Sequence, residues 1–429
     1  MPDAHPDYLQ VSGWNALLPP RTPNPPLDAH REVDLAVIGA GFTGLACARR
    51  WHELAPDDRI AIVDSSTVGE GNPGRNSGFL LDVALAEDAD ARNTERMARC
   101  NELTRGAMRG ILADVTASPE PIDLVKTGTY RAAAGAAGLR SLRNYARFLD
   151  AAGLPYRDLD REAINRELGT QFYVAGIYSP DCYLGQPAAI IRAIAARLPD
   201  AVSLYENTPA LRIERSAGAW QVQTPAGSLR CSSLVLANNA FAGKLGVAPS
   251  RLAAVYTYAG LTPVLSEEAL ATLGSNPNWG LLPTHRLGST LRRTADGRLL
   301  VRSLHDYESE GEPSRIRRAL MHRLRRRFPG LGEIGFEHAW GGAVGFTYNG
   351  APLWGEREPG LYAACGCNGG GTVKGTLFGR LLAEQALGVA QHDVPGLFGR
   401  AAWMPPEPLR GLGFLLRSRL ESWQGRLEL

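Results

Sequence analysis

Three glycines after a short apolar run give this sequence its clearest chemical signal. Gly39, Gly41 and Gly44 follow the apolar residues 33–38 with the spacing G-x-G-x-x-G, and Asp64 ends a second apolar run twenty residues after Gly44. The first glycine allows a tight turn, the second lets the backbone approach a pyrophosphate, and the third lets a helix pack closely on a strand. Asp64 is placed to bind a ribose hydroxyl. The segment therefore predicts a site for an ADP-containing dinucleotide.

The composition of the chain excludes several classes of protein. With 429 residues and a mass of 46.2 kDa, the chain is long enough for two or more domains. Its formal net charge of +2 gives no reason to expect a nucleic acid or an anionic membrane as partner. No segment approaches the ~20 apolar residues that a membrane span needs. Residues 1–30 carry acids and prolines where a secretory signal would be basic and then apolar, so we expect a cytoplasmic protein.

The spacing of cysteines and histidines gives no indication of a metal site. The six cysteines lack a C-x-x-C pair, and Cys365 and Cys367 are too close together for a usual zinc clamp. The eight histidines likewise lack a ligand spacing such as H-x-x-x-H. We therefore expect reduced, mostly buried thiols and no bound metal.

The periodicity of apolar residues outlines the secondary structure after the first strand–helix–strand unit. It predicts helices over 87–150 and 186–198, and then strands over 202–236 and 251–304 with a hairpin turn at Asp296-Gly297. A basic amphipathic helix follows over 314–328. Residues 361–390 are predicted to form a strand, a glycine-rich turn and a helix, and the tail an amphipathic closing helix.

Further motifs resemble segments of the flavin-dependent amine oxidoreductases of the D-amino acid oxidase superfamily. The loop from Gly69 to Gly78 resembles that family's G-x-G-A-S-G-R-N-G-G loop, and the stretches ENTPALRIE and LVLANNAFAGKL resemble its second nucleotide-contacting strand pair. The segments HAWGGAVGFTYNGAPLWG and AACGCNGGGTVKGTLFGRLLAEQ resemble its W-G-G and G-x-S-G-H-G regions. The subgroup around gamma-glutamylputrescine oxidoreductase is the most similar, and the resemblance covers most of residues 8–395.

This resemblance implies FAD, with its ADP half on residues 37–64 and its isoalloxazine beneath residues 73–79. Glycines before a helix suit the anionic edge of a reduced flavin, because backbone N–H groups and the helix dipole favour negative charge. The attachment points that relatives use for a covalent bond are vacant, so we expect non-covalent FAD. The expected cofactor-binding residues are Gly39, Gly41, Phe42, Thr43, Gly44, Asp64, Ser65, Arg75, Asn76, Ser77, Gly78, Ala210, Asn238, Gly342, Gly369, Gly370, Gly371, Thr372 and Val373.

The expected fold is α/β: a discontinuous, Rossmann-like FAD-binding domain with an inserted α+β substrate domain built on an antiparallel sheet. An extended arm, expected to pack on the surface, precedes it. The expected boundaries are 1–30 for the arm, 31–85, 201–248 and 345–395 for the FAD-binding domain, 86–200 and 249–344 for the substrate domain, and 396–429 for the helical tail.

The resemblance also implies oxidation of a C–N bond. An amine or amino acid substrate would deliver hydride to flavin N5, the imine would hydrolyse, and dioxygen or another acceptor would reoxidise the flavin. Arg292 matches the family's arginine position and is the leading candidate to bind a substrate carboxylate. Trp340 and Tyr258 are candidate site walls, with core packing an equal alternative. Lys374 and Asn368 fall in the glycine-rich segment and complete the candidates.

Departures from the family pattern leave a second function open. Asn368 and Gly370 stand where the family has serine and histidine, and Asn349 stands where it has an aspartate. A flavin-binding subunit or assembly protein without amine oxidation activity is therefore the alternative. A reductase acting through a redox cysteine pair is disfavoured, because the sequence contains neither C-x-x-C nor a second G-x-G-x-x-G.

Overall fold

The computed structural model describes residues 4–83 and 90–429. The helices in chain order are α1 (Gly13–Ala16), α2 (Phe42–Leu54), α3 (Thr94–Thr116), α4 (Ala136–Ala151), α5 (Arg161–Leu168), α6 (Pro187–Ala196), α7 (Glu267–Ala271), α8 (Pro313–Arg327), α9 (Val373–Ala386), α10 (Val394–Phe398) and α11 (Leu409–Gln424). The strands are β1 (His30–Ile38), β2 (Ile60–Val63), β3 (Phe79–Leu80), β4 (Leu124–Lys126), β5 (Thr129–Ala133), β6 (Arg157–Asp160), β7 (Ala175–Ser179), β8 (Tyr183–Gly185), β9 (Val202–Tyr205), β10 (Arg212–Ser216), β11 (Ala219–Gln223), β12 (Ser228–Leu236), β13 (Ala253–Leu261), β14 (Trp279–Pro283), β15 (Thr290–Arg293), β16 (Leu299–Tyr307), β17 (His338–Phe346), β18 (Leu353–Glu358) and β19 (Leu361–Cys365).

A mostly parallel sheet forms the first layer of the protein. Its strands run in the order β10-β11-β12-β1-β2-β9, and β19 joins the end of β12 and carries β18 on its outer side. The central strands β12, β1, β2 and β9 pair in parallel, as the predicted nucleotide-binding unit requires. The sheet takes its strands from three separate stretches of the chain, which confirms the discontinuous Rossmann-like architecture.

The turn between β1 and α2 is built around two glycines in contact. Gly39 has a φ of +108°, in the left-handed region that favours glycine, and a Cβ on Gly44 would lie 1.9 Å from the Gly39 carbonyl oxygen. The helix can therefore pack this closely on the strand only because both positions lack a side chain. The apolar face of α2, with Leu45, Ala48 and Trp51, is buried against the sheet.

A second, largely antiparallel sheet is formed by strands from other segments of the chain. Its strands run in the order β17-β13-β16-β15-β14-β5-β7-β6, and among the described strands of this sheet only β14 and β5 pair in parallel. The predicted hairpin turn at Asp296-Gly297 joins β15 to β16. Helix α8 covers this sheet with its buried residues Ile316, Leu320 and Leu324, as the amphipathic pattern predicts. This is the predicted α+β part of the fold.

Two local predictions were wrong. Residues 87–150 are not a continuous helix, since β4 and β5 separate α3 from α4 after Pro119 and Pro121. Proline removes a helical N–H and clashes with the preceding turn, so the helix ends there. The arm is not merely a surface segment, because Trp14 is only 2% exposed. The beginning of the predicted helix at Glu87 and the expected boundary between residues 85 and 86 lie outside the described residues.

Within residues 4–83 and 90–429, no helix is long and apolar enough to cross a membrane.

The Gly39–Gly44 contact makes a prediction about stability. Gly44→Ala should lower the free energy of unfolding by about 1–3 kcal/mol, because the added methyl group overlaps backbone that cannot move away without disturbing β1. Urea denaturation followed by circular dichroism measures the change. The matched control is Gly110→Ala in α3, where a Cβ meets nothing within 4 Å, and this variant should be neutral or slightly stabilising. Equal midpoints for both variants would contradict the packing role of Gly44.

Candidate cofactor and substrate site

A cavity of about 600 Å³ runs from the β1–α2 turn to the face of the antiparallel sheet. Its lining includes most of the predicted cofactor residues, drawn from segments far apart in the chain. These are Gly39, Gly41, Phe42, Thr43, Asp64, Ser65, Arg75, Asn76, Ser77, Ala210, Asn238, Gly342, Gly369, Gly370, Gly371, Thr372 and Val373. The predicted residues Gly44 and Gly78 lie behind the lining, where they allow close packing instead.

At one end of the cavity, the N-terminus of α2 provides backbone donors. In the described structure no side chain caps this helix at Gly41. The first N–H groups of such a helix and its dipole favour a bound anion such as a pyrophosphate. A Cβ on Gly41 would meet only Pro73, at 3.3 Å, so the space above this glycine opens into the cavity.

Asp64 lies next to this helix terminus at the end of β2. Its Oδ2 accepts a hydrogen bond from the Ala40 N–H at 2.7 Å, and its Oδ1 accepts one from the Ser66 N–H at 3.0 Å. Burial raises the pKa of Asp64, while the backbone donors oppose that shift. The carboxylate is thus fixed beside the glycine turn, in the place that a ribose-binding acid requires.

The glycine-rich turn before α9 forms a second set of donors. Asn368 and Gly369 both have positive φ values, of 48° and 87°. The Asn368 side chain holds the turn, since its Oδ1 accepts from Thr347 N–H at 2.9 Å and its Nδ2 donates to the Gly366 carbonyl at 2.7 Å. The α9 N-terminus at Thr372 also lacks a side-chain cap in the described structure. Its N–H groups can therefore face a second anionic part of the same ligand.

Asn239, which was not among the predicted residues, lies shortly after β12 and supports this turn. Its Oδ1 accepts hydrogen bonds from the N–H groups of Gly366 and Cys367, at 3.0 and 3.1 Å. Its neighbour Asn238 lines the cavity, and the Asn238 Oδ1 is buried without a hydrogen-bond partner in the described structure. A buried acceptor of this kind calls for a donor from a ligand, which fits a cofactor in the cavity.

The loop 69–78 is held over the middle of the cavity by the N-terminal arm. Ser12 Oγ donates to the Gly74 carbonyl at 2.6 Å, and Trp14 Nε1 donates to the Asn76 carbonyl at 2.7 Å. Arg75 is 7% exposed; its Nη1 donates to the Gly341 carbonyl at 2.8 Å, and its guanidinium stacks 3.6 Å from the Tyr8 ring centroid. The arm therefore fixes the loop that was expected to cover the isoalloxazine.

At the sheet end of the cavity lies an arginine that the sequence analysis missed. Arg302 lines the cavity with Thr257, Tyr258 and Thr290 from neighbouring strands, and its Nε donates to Thr257 Oγ1 at 3.3 Å. Arg302 is a lone charged residue in the apolar run LLVRSL, and this signal could have indicated it. Lys374 also lines the cavity, at the start of α9.

Tyr258 is one of the predicted walls that does line the cavity. Its hydroxyl donates to Asp306 Oδ2 and accepts from the Gly311 N–H, both at 2.7 Å. Burial raises the pKa of Tyr258, so the phenol stays protonated at neutral pH. The hydroxyl is thus occupied by protein partners, and the ring packs in the apolar cluster with Leu291 and Leu320.

Two predicted catalytic residues lie outside the cavity lining. Arg292 is fully buried, where its Nη1 donates to the Gly185 carbonyl at 2.6 Å and its Nη2 contacts Asp123 at 3.2 Å. Burial lowers the pKa of Arg292 to about 10, which still leaves it charged at neutral pH. Trp340 packs edge-on against Trp14 and donates to the Arg75 carbonyl at 3.1 Å. Arg292 is separated from the cavity because Trp14 and the 69–78 loop cover its guanidinium.

Comparison with known proteins identifies the family. The family model for FAD dependent oxidoreductases, DAO, matches residues 34–385, so the chain belongs to this family of FAD-dependent enzymes. It is 28% identical over 385 residues to the probable oxidoreductase OrdL of Rhizobium meliloti, covering 88% of both chains. It is 26% identical over 412 residues to the gamma-glutamylputrescine oxidoreductase of Escherichia coli, covering 90% of this chain and 93% of that one.

The solved structures agree on the fold. The glycine oxidase of Geobacillus kaustophilus superposes with a TM-score of 0.72 at 19% identity, over 87% of this chain and 100% of that chain. The predicted family, fold class and cofactor are confirmed. FAD fits the cavity of this chain, because two uncapped helix termini, a ribose-directed carboxylate and an unpartnered amide oxygen all face it.

The open space at Gly41 makes a prediction about cofactor binding. Gly41→Val should yield folded but colourless protein, because the side chain fills the space that a pyrophosphate needs while meeting little protein. The ratio of flavin to protein absorbance measures this, with Gly110→Val in α3, where a Cβ would meet nothing within 4 Å, as the control that stays yellow. Full flavin content in folded Gly41→Val would rule out this turn as the pyrophosphate site.

We also predict that acid precipitation releases all of the flavin. Cys365 is 5% exposed, burial raises the pKa of its thiol to about 12, and its Sγ contacts the Leu236 carbonyl. Cys367 lines the cavity, but its Sγ accepts a hydrogen bond from Asn239 Nδ2 at 3.3 Å. Trichloroacetic acid should therefore leave a white pellet and a yellow supernatant. Colour retained by the pellet would indicate a covalent bond, with Cys367 the first residue to replace.

Proposed function

We propose that this enzyme oxidises the C–N bond of an amine or amino acid that also carries an anionic group. The observation that carries the proposal is Arg302, a guanidinium on the sheet face of the cavity that begins at the dinucleotide turn. A guanidinium binds a carboxylate through two parallel hydrogen bonds, which fixes the substrate's orientation as well as its position. The names of the relatives support an amine substrate, since gamma-glutamylputrescine and glycine both contain amino groups.

The neighbouring residues of the chain would orient and enclose the substrate. Arg302 would hold its anionic group, and Thr257 supports the guanidinium from the adjacent strand. Strand β13 at Tyr258 would form one wall, and Lys374 is a further candidate for contact with the substrate from the α9 side. Positioning of this kind brings the C–H bond next to the nitrogen into a reactive arrangement.

The reaction balances as a two-electron oxidation. When bound, FAD supplies the acceptor for the hydride at its N5 position and passes the electrons to dioxygen or another acceptor. The substrate loses that hydride from carbon and a proton from nitrogen, and the resulting imine takes up water to give a carbonyl compound and an amine. The protein's contribution is the binding and orientation described above.

A substrate screen tests this proposal. Amino acids, N-alkyl amino acids, polyamines and aminophosphonates would be offered to the flavin-loaded protein under a dye acceptor, with and without dioxygen. We expect turnover with an amine that bears a carboxylate, and none with the corresponding alcohol. Flavin-loaded protein that oxidises no member of the panel would favour the alternative of a flavin-binding subunit or assembly protein.

Arg302 gives a sharper prediction once a substrate is known. Arg302→Lys should raise KM for a carboxylate-bearing substrate, since losing a bidentate charged hydrogen bond costs about 1.5–3 kcal/mol. The KM for an analogue without the carboxylate should change little. Steady-state kinetics with both substrates measures the difference.

Two neighbouring arginines are the controls for this experiment. Arg293→Lys should leave both KM values unchanged, because Arg293 is bonded to the carbonyls of the Leu273–Asn276 segment. Arg292→Lys should lower thermal stability and not change substrate selectivity, because its partners are Gly185 and Asp123. A carboxylate-dependent rise in KM for Arg292→Lys, with Arg302→Lys unchanged, would return the role to Arg292.

A further inference from the structure

Helix α11 carries an apolar stripe that faces solvent. Large apolar side chains recur along it every three or four residues, the spacing of one helix face. Leu416 is 58% exposed and Trp423 is 65% exposed. The stripe consists of Leu409, Leu412, Leu416, Leu420 and Trp423, with Leu415 beside it and Leu427 just beyond the helix, and each of these is at least 45% exposed. The sequence predicted an amphipathic closing helix, but its apolar face does not close onto the protein.

The opposite face of α11 is already fixed to the body of the protein. The Phe414 ring lies 4.9 Å from the ring of Tyr307, and Arg410 Nη1 donates to the carbonyls of Pro249 and Leu252. Beyond the helix, Glu428 accepts hydrogen bonds from Ala134 and Gly135 N–H groups. Rotation of the helix to bury the stripe would break these contacts. The stripe therefore stays exposed among the described residues and is available to a partner surface.

The charges that flank the stripe are positive. Arg417 and Arg419 on α11 and Arg426 just beyond it are exposed, whereas Glu421 is only 8% exposed and is hydrogen-bonded to Arg417 at 2.7 Å. Arg286, with a side chain 66% exposed, adds a further cation beside Glu421. The chain's net charge of +2 hides this local excess, because acids elsewhere balance it.

Two further exposed aromatic residues precede α11 in the chain. Tyr348 is 78% exposed and Trp403 is 60% exposed. Their segments are joined at Asn349, since its Nδ2 donates to the Arg400 carbonyl and its Oδ1 accepts from Ala402 N–H. Tyrosine and tryptophan are enriched where protein meets the head-group region of a bilayer.

We propose that the apolar stripe of α11, with its flanking arginines, docks on an anionic lipid surface. A helix with leucine and tryptophan on one side and arginine beside them lies in the plane of a membrane, with its apolar side chains among the acyl chains. Arginine stems can also lie along the apolar layer while their guanidinium groups reach phosphates. This is surface binding by a chain whose described helices do not span a membrane.

A second copy of this chain fits the surface less well. In a two-fold dimer the same patch meets itself, so the arginines that flank one stripe (Arg417, Arg419 and Arg426) would lie among the arginines of the other. The exposed acids needed to offset them are missing from this face of the described helix, since Glu421 is buried and engaged. An anionic lipid surface offers both an apolar layer and the opposite charge.

Co-sedimentation of the flavin-loaded, full-length protein with vesicles tests this proposal. Vesicles of phosphatidylglycerol and phosphatidylcholine should retain the protein at low salt, vesicles of phosphatidylcholine alone should retain much less, and raising the salt should weaken binding. The double variant Leu416→Glu with Leu420→Glu should reduce binding at least tenfold. Because both side chains are exposed, its flavin absorbance and melting temperature should match those of the wild type.

The controls distinguish binding by this surface from non-specific adsorption to vesicles. Leu211→Glu changes a leucine that is 52% exposed outside α11 and should bind vesicles like the wild type. Replacing Arg419 and Arg426 by glutamate should remove the preference for anionic lipid. Wild-type protein that co-sediments with neither kind of vesicle would overturn the proposal. So would a concentration-dependent dimer in sedimentation velocity that the Leu416→Glu with Leu420→Glu variant dissociates, since the occupant would then be a second copy.

Discussion

The close contact between α2 and α9 is the constraint on which the site depends. A Cβ on Gly379 would lie 2.1 Å from the Thr43 carbonyl oxygen, and one on Gly375 would lie 2.9 Å from Thr43 Oγ1. These glycines let the two helices pack at backbone distance, so both uncapped N-termini open into the same cavity. Two partial positive charges can then act on one extended anionic cofactor, where a single helix would hold only part of it.

The parts of this site that could be predicted from the sequence are those encoded by local spacing. Gly39, Gly41 and Asp64 belong to one strand–helix–strand unit, and the turn around Gly369 precedes its helix directly. The run LLVRSL marks Arg302 as a lone charge, but local spacing does not show that its side chain reaches the cavity. Its exposure to the cavity depends on how β13, β15 and β16 pair and on which segments cover each face. The family resemblance made Arg292 the leading candidate, but Trp14 from the distant arm covers it, and residue spacing carries no information about that contact.

The departures from the family pattern have structural roles in this chain. Asn368, in the place of a serine, uses its amide to hold the positive-φ turn together, so it positions the backbone donors. Asn349, in the place of an aspartate, ties the segment after β17 to residues 400 and 402 of the tail. Both side chains join the cofactor cavity to neighbouring backbone. Neither replacement removes a group from the set formed by Arg302, Thr257 and Tyr258.

Hydrogen–deuterium exchange on apoprotein and FAD-reconstituted protein tests whether two helix termini bind one FAD. We expect FAD to slow exchange in residues 39–45 and 369–376 together, because both sets of N–H groups gain an anionic partner. The hairpin of β10 and β11, at the sheet edge, should change little. Protection of only one terminus, or equal protection of the hairpin, would show that the two termini do not share one cofactor.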